Sequence, residues 1–320
     1  MRDIIHFILY KIIPALNRLR KKDKAYERIL IYYCSEFSAA GGLTDRLKGI
    51  VSAYRISLVS QRKFKIIFNK PFKLTKIFSE KEVHWDIVSE SEQKKLLSLA
   101  AHYDFIDQTN LSVAEKEIQK TLKDRSKIIA LRVNQDYSSI VSSYSDVDHK
   151  SWRRCFFSLF ELNACSRDLY DHYLNAHDWN RIIGIHCRFV NLLGDKLESR
   201  KEISESAKTE LITKITNLLK KMVSTHKGDK ILLCSDSNIF LTSIRQNEIL
   251  KNKYIIIEGT PRHSEKNRIG DKELQKIVAD FFLLAECRKV YSIRCDGMYP
   301  SAFPEYAAKI NNKHFETITE

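Results

Sequence analysis

The second half of the chain alternates between short apolar segments and longer segments of helical periodicity, and this alternation restricts the possible fold most strongly. Apolar runs with strand character occupy residues 181–188, 230–234, 254–257 and 289–293. Between and after them, helical spacing of apolar residues predicts helices over 203–223, over 238–249, over 271–286 and from about residue 301. Strands and helices that alternate in this way are typical of a parallel sheet wound in βαβ units. The sequence therefore predicts an α/β fold.

Polar side chains follow these strands at their carboxyl ends, which is where ligands bind in such sheets. They are His186, Arg188, Ser235, Asp236 and Asp296. His186 and Arg188 are two residues apart, so a strand places both on one face of the sheet. A guanidinium beside an imidazole suits a diphosphate or another doubly charged oxyanion. The alternative is an arginine at the edge of the core that pairs with a nearby carboxylate.

The first half of the chain follows the same pattern. A strand is expected over 29–33, Gly41 and Gly42 form a turn, and helical periodicity begins at Leu43. Such a turn presents backbone N–H groups and a helix N-terminus to an anion or a sugar, although it can also be only a tight turn. Further expected elements are strands at 64–68, 86–88 and 128–133 and helices at 74–78, 91–101, 152–162 and 166–175. A chain of 320 residues usually forms more than one core, so two lobes are expected.

Composition limits the class of partner and the cellular compartment. The chain has 54 Lys and Arg against 40 Asp and Glu, a formal net charge of +14, which favours acidic partners such as phosphorylated substrates, anionic lipid or nucleic acid. Nucleic acid is not expected, because no zinc-finger spacing and no aromatic RNA-binding signature occur. The seven cysteines include no pair with the spacing of a metal or redox site. We expect a reducing cytoplasm and no metal.

Residues 1–24 form a separate basic amphipathic segment. Apolar residues near one helical face are followed by a basic cluster at residues 18–24. The apolar part is shorter than the roughly 20 residues that span a bilayer, and the positive cluster follows it, unlike in a secretory signal. The segment is expected to be a helix that either lies on an anionic membrane surface or packs on the first lobe.

Several motifs, in the right order along the chain, resemble the GDP-fucose-dependent fucosyltransferases of the nodulation, α1,6 and protein O-fucosyl types. They are the glycine loop 41–50, the HxR segment 184–191, the serine–aspartate element 234–237, the segment 280–287 and the helix start 301–307, with 159–166 as a further match. The resemblance covers about residues 30–310. It implies a GT-B fold, in which two Rossmann-like lobes face each other across a cleft.

The resemblance also implies a domain organisation and a reaction. The N-terminal helix of 1–24 would be followed by an acceptor-side lobe, 25–176, and a nucleotide-sugar lobe, 177–320. The reaction would be an inverting transfer of fucose from GDP-fucose, as co-substrate, to a glycan or a lipid-linked oligosaccharide, with no metal or other cofactor. We expect a role in bacterial surface polysaccharide synthesis, such as O-antigen, in the cytoplasm or peripherally on the inner face of the cell membrane.

Site residues are carried over from the matching motifs. Arg188 would hold the β-phosphate and neutralise charge on the leaving diphosphate, and His186 would help to position the phosphates or the sugar. Asp280 would accept hydrogen bonds from the guanine edge, and Asp236 would contact ribose or sugar hydroxyls. Gly42 and Arg46 of the first lobe would face the donor. The predicted GDP-sugar site is completed by Asn191, Ser235, Ser301 and Phe303.

The chain departs from the family pattern where a catalytic base is needed. Many relatives carry an acidic residue three positions after the HxR arginine, whereas this chain has Asn191 there. Because inversion requires a base for the acceptor hydroxyl, Asp195 is the first candidate and Glu198 the second, with solvated loop carboxylates as the alternative. Two other functions stay open: the same site with another GDP-deoxyhexose or GDP-hexose, and a basic nucleic-acid-binding protein without catalysis.

Overall fold

The structure is a computed structural model that describes residues 27–34, 41–144, 151–195, 202–250, 252–261, 269–295 and 297–320. The expected N-terminal helix of 1–24 and the residues Glu198 and Asp296 lie outside the described part. Contacts divide the chain into two units, with the division after Glu161. The functional lobe limits expected from the sequence, 25–176 and 177–320, stay a prediction.

The first unit contains a four-stranded parallel sheet. In chain order its elements are β1 (Ile29–Cys34), α1 (Leu43–Val59), β2 (Lys63–Phe68), β3 (Phe78–Glu80), α2 (Glu90–Leu99), β4 (Ala101–Phe105), α3 (Leu111–Lys123), β5 (Ile128–Val133), α4 (Ser138–Ser142), α5 (Trp152–Leu159) and β6 (Phe160–Leu162). The sheet has the order β2-β1-β5-β4, and β3 pairs with β6 in a second small sheet. Strands β1 and β5 are buried along nearly their whole length, as expected for central strands covered on both faces.

The second unit contains a five-stranded parallel sheet. Its elements are α6 (Ala164–Ala176), β7 (Ile182–Cys187), α7 (Glu205–Thr225), β8 (Lys230–Ser235), α8 (Asn238–Gln246), β9 (Tyr254–Ile255), α9 (Asp271–Glu286), β10 (Lys289–Arg294), α10 (Phe303–Ile310) and β11 (His314–Thr319). The strand order is β11-β10-β7-β8-β9. The chain thus winds outward from β7 in one direction and, after α9, outward from β10 in the other, which is the doubly wound Rossmann order.

Helix α9 packs unusually close to the central strand β7. A Cβ atom on Gly184 would lie 2.6 Å from Leu284 Cδ2 and 3.2 Å from the Cys287 sulfur. Glycine therefore lets the helix approach the strand, and α9 is buried over most of its length. The close approach brings the side chain of Asp280 next to the carboxyl-terminal half of the sheet.

Within the described residues, no helix combines the length and the apolar character that crossing a bilayer would require.

Candidate functional site

The strand order of the second unit places a candidate site at the carboxyl ends of β7 and β10. Strand order reverses between these two neighbours, and open parallel sheets bind ligands in the crevice outside such a reversal. His186 lies near the end of β7, and Arg188 follows the strand directly. The loop after β10 supplies Tyr299 and Ser301, and Phe303 is the first residue of α10. The structure therefore brings together residues more than a hundred positions apart in the sequence.

Arg188 lies against an aromatic ring that the sequence did not single out. Its guanidinium carbon is 5.3 Å from the ring centroid of Tyr299, and this tyrosine is 48% exposed. A cation–π contact of this kind is attractive and favours one position of the guanidinium over the ring. A half-buried arginine held in this way is suited to bidentate binding of a phosphate group.

His186 is packed beneath the start of helix α10. The imidazole, 6% exposed, stacks on Phe303 with ring centroids 5.3 Å apart and 30° between the planes. Phe303 in turn meets the edge of Phe281 at 5.0 Å. The histidine therefore lies in an aromatic environment that holds its ring in one orientation.

Ser301 lies at the entry to α10. Its hydroxyl oxygen accepts a hydrogen bond of 3.3 Å from the backbone N–H of Phe303, and Pro304 fits the first turn, where a helix has no use for another N–H donor. In this bond the Ser301 hydroxyl is the acceptor, so its own hydrogen can be donated to a ligand at the helix N-terminus.

Asp236 shapes the turn that carries Arg188. Its Oδ1 accepts from the backbone N–H of Phe189 at 2.8 Å, and its Oδ2 accepts from Val190 at 2.9 Å. Val190 has a φ of +58°, which is costly for a β-branched residue and must be stabilised by its surroundings. Asp236 therefore holds the backbone next to the arginine. Its predicted contact with ribose or sugar hydroxyls stays a prediction.

Asp195, the first candidate for the base, caps helix α8. Its Oδ2 accepts from the Ser237 hydroxyl at 2.8 Å and from the backbone N–H of Ile239 at 2.9 Å. Carboxylates at this position stabilise a helix N-terminus. Asn191 and Ser235 contribute local bonds in the same region, because the Asn191 carbonyl accepts from Gly194 and the Ser235 hydroxyl from Ser237. The identity of the base stays a prediction.

Asp280 forms a buried ion pair that the sequence analysis did not include. Its Oδ2 is 2.5 Å from the ammonium of Lys276, one helical turn earlier, and the lysine is 0% exposed. Burial raises the pKa of the Asp280 carboxyl, while the Lys276 ammonium acts in the opposite direction. The thiol of Cys234 borders the same carboxyl, and burial raises the pKa of that thiol well above its usual value. Cys234 is the register partner of His186, so the pair lies near the site.

Gly42 and Arg46 lie in the first unit, where Arg46 is 1% exposed. Its Nε donates to the Gly41 carbonyl at 3.0 Å, and another guanidinium nitrogen donates to the Lys70 carbonyl at 3.2 Å. Gly41 has a φ of +75°, and the backbone N–H of Gly42 donates to Asp45 at 3.2 Å. Arg46 therefore ties the glycine turn to the chain after β2. The expected contact of both residues with a donor stays a prediction.

The first unit also has an open groove of mixed polar and apolar lining beside β2 and β3. Its volume is about 430 Å³, and it is lined by Lys65, Thr75, Phe78, Ser79, Glu80, His84, Trp85, Asp86 and Val88. Hydroxyl, carboxylate and ammonium groups at its wall are the types that bind sugar hydroxyls.

As for metals, the described residues contain no cluster of three or more His, Cys, Asp or Glu side chains placed to hold an ion.

Several solved structures are similar to this chain in fold. The fucosyltransferase NodZ, an α1,6 enzyme soaked with GDP-fucose, matches with a TM-score of 0.55 and 18% identity, covering 89% of this chain and 92% of that one. A single-residue mutant of Arabidopsis thaliana FUT1 in complex with GDP matches with a TM-score of 0.59 and 12% identity, covering 99% and 78%. POFUT1 in complex with GDP matches with a TM-score of 0.50 and 9% identity, covering 92% and 99%.

These likenesses confirm the expected GT-B fold. The chain resembles the GDP-fucose-dependent fucosyltransferases in its fold. No protein-family model matches the chain, and a search of curated proteins finds no match. At such low identities the fold is what is shared, so the function has to be argued from the site.

Proposed function

We propose that the protein is an inverting glycosyltransferase that moves fucose from GDP-fucose to a glycan acceptor. One observation carries the proposal. The reversal of strand order between β7 and β10 lies in a fold shared with GDP-binding transferases, and Arg188, Ser301 and Phe303 all belong to the segments that follow these two strands. Fold alone does not assign function. A nucleotide diphosphate requires a cation, a hydroxyl at a helix start and aromatic rings, and these groups lie where the strand order reverses.

In the proposed reaction, Arg188 binds the β-phosphate of the donor. As the bond between the sugar and the diphosphate breaks, negative charge builds on the departing oxygen, and a fixed guanidinium stabilises that charge. Ser301 donates to a phosphate oxygen, and Asp280 accepts from the guanine edge. His186, held by Phe303, orients the same phosphates. A base removes the proton of the acceptor hydroxyl as it attacks from the opposite face.

We propose an acceptor of the surface-glycan type, carried on a lipid, in a bacterial cytoplasm. The open groove of the first unit, about 430 Å³ in volume, is large enough for a sugar residue and supports a glycan acceptor. The net charge of +14 favours an acidic partner, as a diphosphate-linked lipid would be. A donor that is another GDP-deoxyhexose or GDP-hexose would use the same nucleotide contacts.

Thermal unfolding with nucleotides tests the donor assignment. In buffer with EDTA, GDP at about 100 times its Kd should stabilise the protein by about 2.7 kcal/mol, since ligand binds only the folded state. ADP and UDP at equal concentration should give much smaller shifts. Turnover of GDP-fucose and GDP-mannose, measured with EDTA, then separates the two donor sugars and tests the proposed independence from metal. Equal stabilisation by all three nucleotides would remove the basis of the proposal.

Removal of residues 1–24 tests the proposed membrane surface. The full chain should bind vesicles containing about 30% anionic lipid and release them as salt rises, because screening shortens the reach of the basic cluster. The truncated chain should lose this binding and keep its thermal shift with GDP. Unchanged vesicle binding after truncation would show that the segment does not anchor the protein, and neutral vesicles serve as the control for charge.

A further inference from the structure

The ion pair of Lys276 and Asp280 is buried almost completely. Lys276 is 0% and Asp280 is 6% exposed, and the ammonium lies 2.5 Å from Oδ2. The loop after β9 covers the lysine stem, since a Cβ atom on Gly259 would lie 3.4 Å from the Lys276 Cβ. Two charges removed from water cost several kcal/mol each in desolvation, and an apolar pair of similar volume is often equally stable. Stability alone therefore does not account for the pair.

The second oxygen of Asp280 lacks the donor that a buried carboxylate needs. Oδ1 is enclosed and has no hydrogen-bond partner of ordinary geometry among the described residues. The neighbouring Cys234 thiol is at most a weak donor. A buried charged oxygen without a strong donor is costly, and ligand N–H groups are one way to satisfy it.

The pair lies beside the groups assigned to the donor nucleotide. The residue after Asp280, Phe281, contacts Phe303, and Phe303 stacks on His186. Cys234, which borders the Asp280 carboxyl, is paired in register with His186 across β7 and β8. The carboxylate therefore belongs to the same end of the sheet as Arg188.

We propose that Lys276 is a positioning residue that keeps Asp280 ionised and oriented, and that this pair selects a purine with two adjacent N–H donors over other bases. The inference rests on the proposed function, because it concerns the donor nucleotide. Guanine offers N1–H and the 2-amino group on one edge, and a carboxylate accepts from both. Hypoxanthine keeps only N1–H, and adenine has an acceptor at N1.

The lysine is required because of where the carboxyl lies. Burial raises the pKa of Asp280, and Lys276 is the cation that opposes this effect. The other titratable group against the carboxyl is the Cys234 thiol, whose own pKa is raised well above its usual value and which therefore stays neutral at pH 6.5–8.5. Without the ammonium, Asp280 holds its proton to higher pH. The acid form then offers an O–H donor where guanine also has donors.

The test measures dissociation constants of GDP and IDP by calorimetry at several pH values between 6.5 and 8.5. The wild-type chain should bind GDP at least about tenfold more tightly than IDP across this range, as expected for one hydrogen bond to a charged acceptor. In Lys276→Met the ratio should fall towards one at pH 6.5. It should recover as pH rises, because an acid with a raised pKa ionises only above that pKa. Lys272→Met, an exposed lysine on the same helix, is the matched control and should keep the wild-type ratio.

A Lys276→Met protein with the wild-type ratio at every pH would overturn the inference and leave the proposed function intact. A wild-type chain that binds neither GDP nor IDP would overturn the proposed function itself. If Lys276→Met does not fold, the double variant Lys276→Met with Asp280→Asn removes both charges together, which buried pairs tolerate better. This variant should bind GDP and IDP equally at all pH values, and a persistent preference for GDP would contradict the role of the pair.

Discussion

Arg188→Ala should abolish the thermal shift with GDP and lower fucosyl transfer by about a hundredfold or more, the effect typical of removing one group that stabilises charge in a transition state. Arg188 follows β7 directly, and its guanidinium carbon lies over the ring of Tyr299, 5.3 Å from the centroid. Alanine removes every donor at this position and leaves the fold intact, because the side chain is only half-buried. The rate constant at saturating donor and the Tm with and without GDP measure the two effects.

Arg181→Ala is the matched control for this experiment. Arg181 precedes the same strand at its amino end, away from the predicted site, and donates a hydrogen bond of 3.2 Å to the Gly228 carbonyl. An exposed bond of this type contributes about 1 kcal/mol or less, so Tm should change little and activity should persist. The prediction would be contradicted if Arg188→Ala kept near-normal fucosyl transfer, or if Arg181→Ala lost as much activity as Arg188→Ala. Either result would show that activity does not depend on a cation at the carboxyl end of β7.

Most of the second unit was predictable because its strands and helices follow periodic patterns. Helix α9 has the limits Asp271–Glu286 that its apolar stripe predicts, and β7, β8 and β10 differ from expectation by a residue or so at each end. Strand β11, His314–Thr319, was missed. It is an edge strand whose burial pattern is largely exposed, so it lacks the apolar run that marks a central strand.

The first unit was less predictable because several of its elements are short or half-polar. Strand β4, Ala101–Phe105, carries His102 and Asp104 and follows α2 after a single residue, so the expected helix 91–101 overlapped it. The strand expected at 86–88 is wrong. Ile66 donates one backbone hydrogen bond to the Trp85 carbonyl, and no ladder continues beyond it. The helix expected over 152–162 ends at Leu159, where the chain turns into β6.

The site was predictable where motifs mark the ends of strands and unpredictable where long-range partners decide a role. His186, Arg188 and Ser301 lie at the strand-order reversal that the winding predicts. The roles of Asp236 and Asp195 depend on bonds to residues more than forty positions away, which one sequence does not reveal. Lys276 carries a local signal, since it lies one turn before Asp280, and i,i+4 pairs of opposite charge are a common helix feature.

Gly49 illustrates how part of a motif serves the fold rather than the chemistry. It closes the glycine-rich segment that resembles the transferases, yet it lies inside α1 against the end of β5. Two further residues on the same helix face continue the contact. The Ser52 hydroxyl donates to the Gln135 carbonyl at 2.8 Å, and Arg55 donates to the Ser142 hydroxyl at 2.6 Å. Helix α1 is thus joined along one face to the segment that follows β5.

Gly49→Ala should destabilise the protein strongly, because the added methyl group has no space. A Cβ atom there would lie 1.8 Å from the Val133 carbonyl oxygen and 2.6 Å from its carbon, and backbone atoms in a central strand do not move aside. Overpacking against a rigid neighbour should cost about 3 kcal/mol or more, and Tm should fall by about 6–12 °C. Differential scanning fluorimetry of the variant measures this loss directly.

Gly270→Ala is the control that separates this clash from the general effect of replacing a glycine. Gly270 precedes α9 with a φ of −68°, which any residue adopts, and the Cβ atom would meet only the flexible carboxylate of Glu273. The expected cost is about 1 kcal/mol or less. Both variants replace a glycine by alanine, one inside a helix and one directly before a helix, so a similar Tm for the two would mean that α1 moves away from β5 at little cost. The contact at Val133 would then not fix the position of the helix.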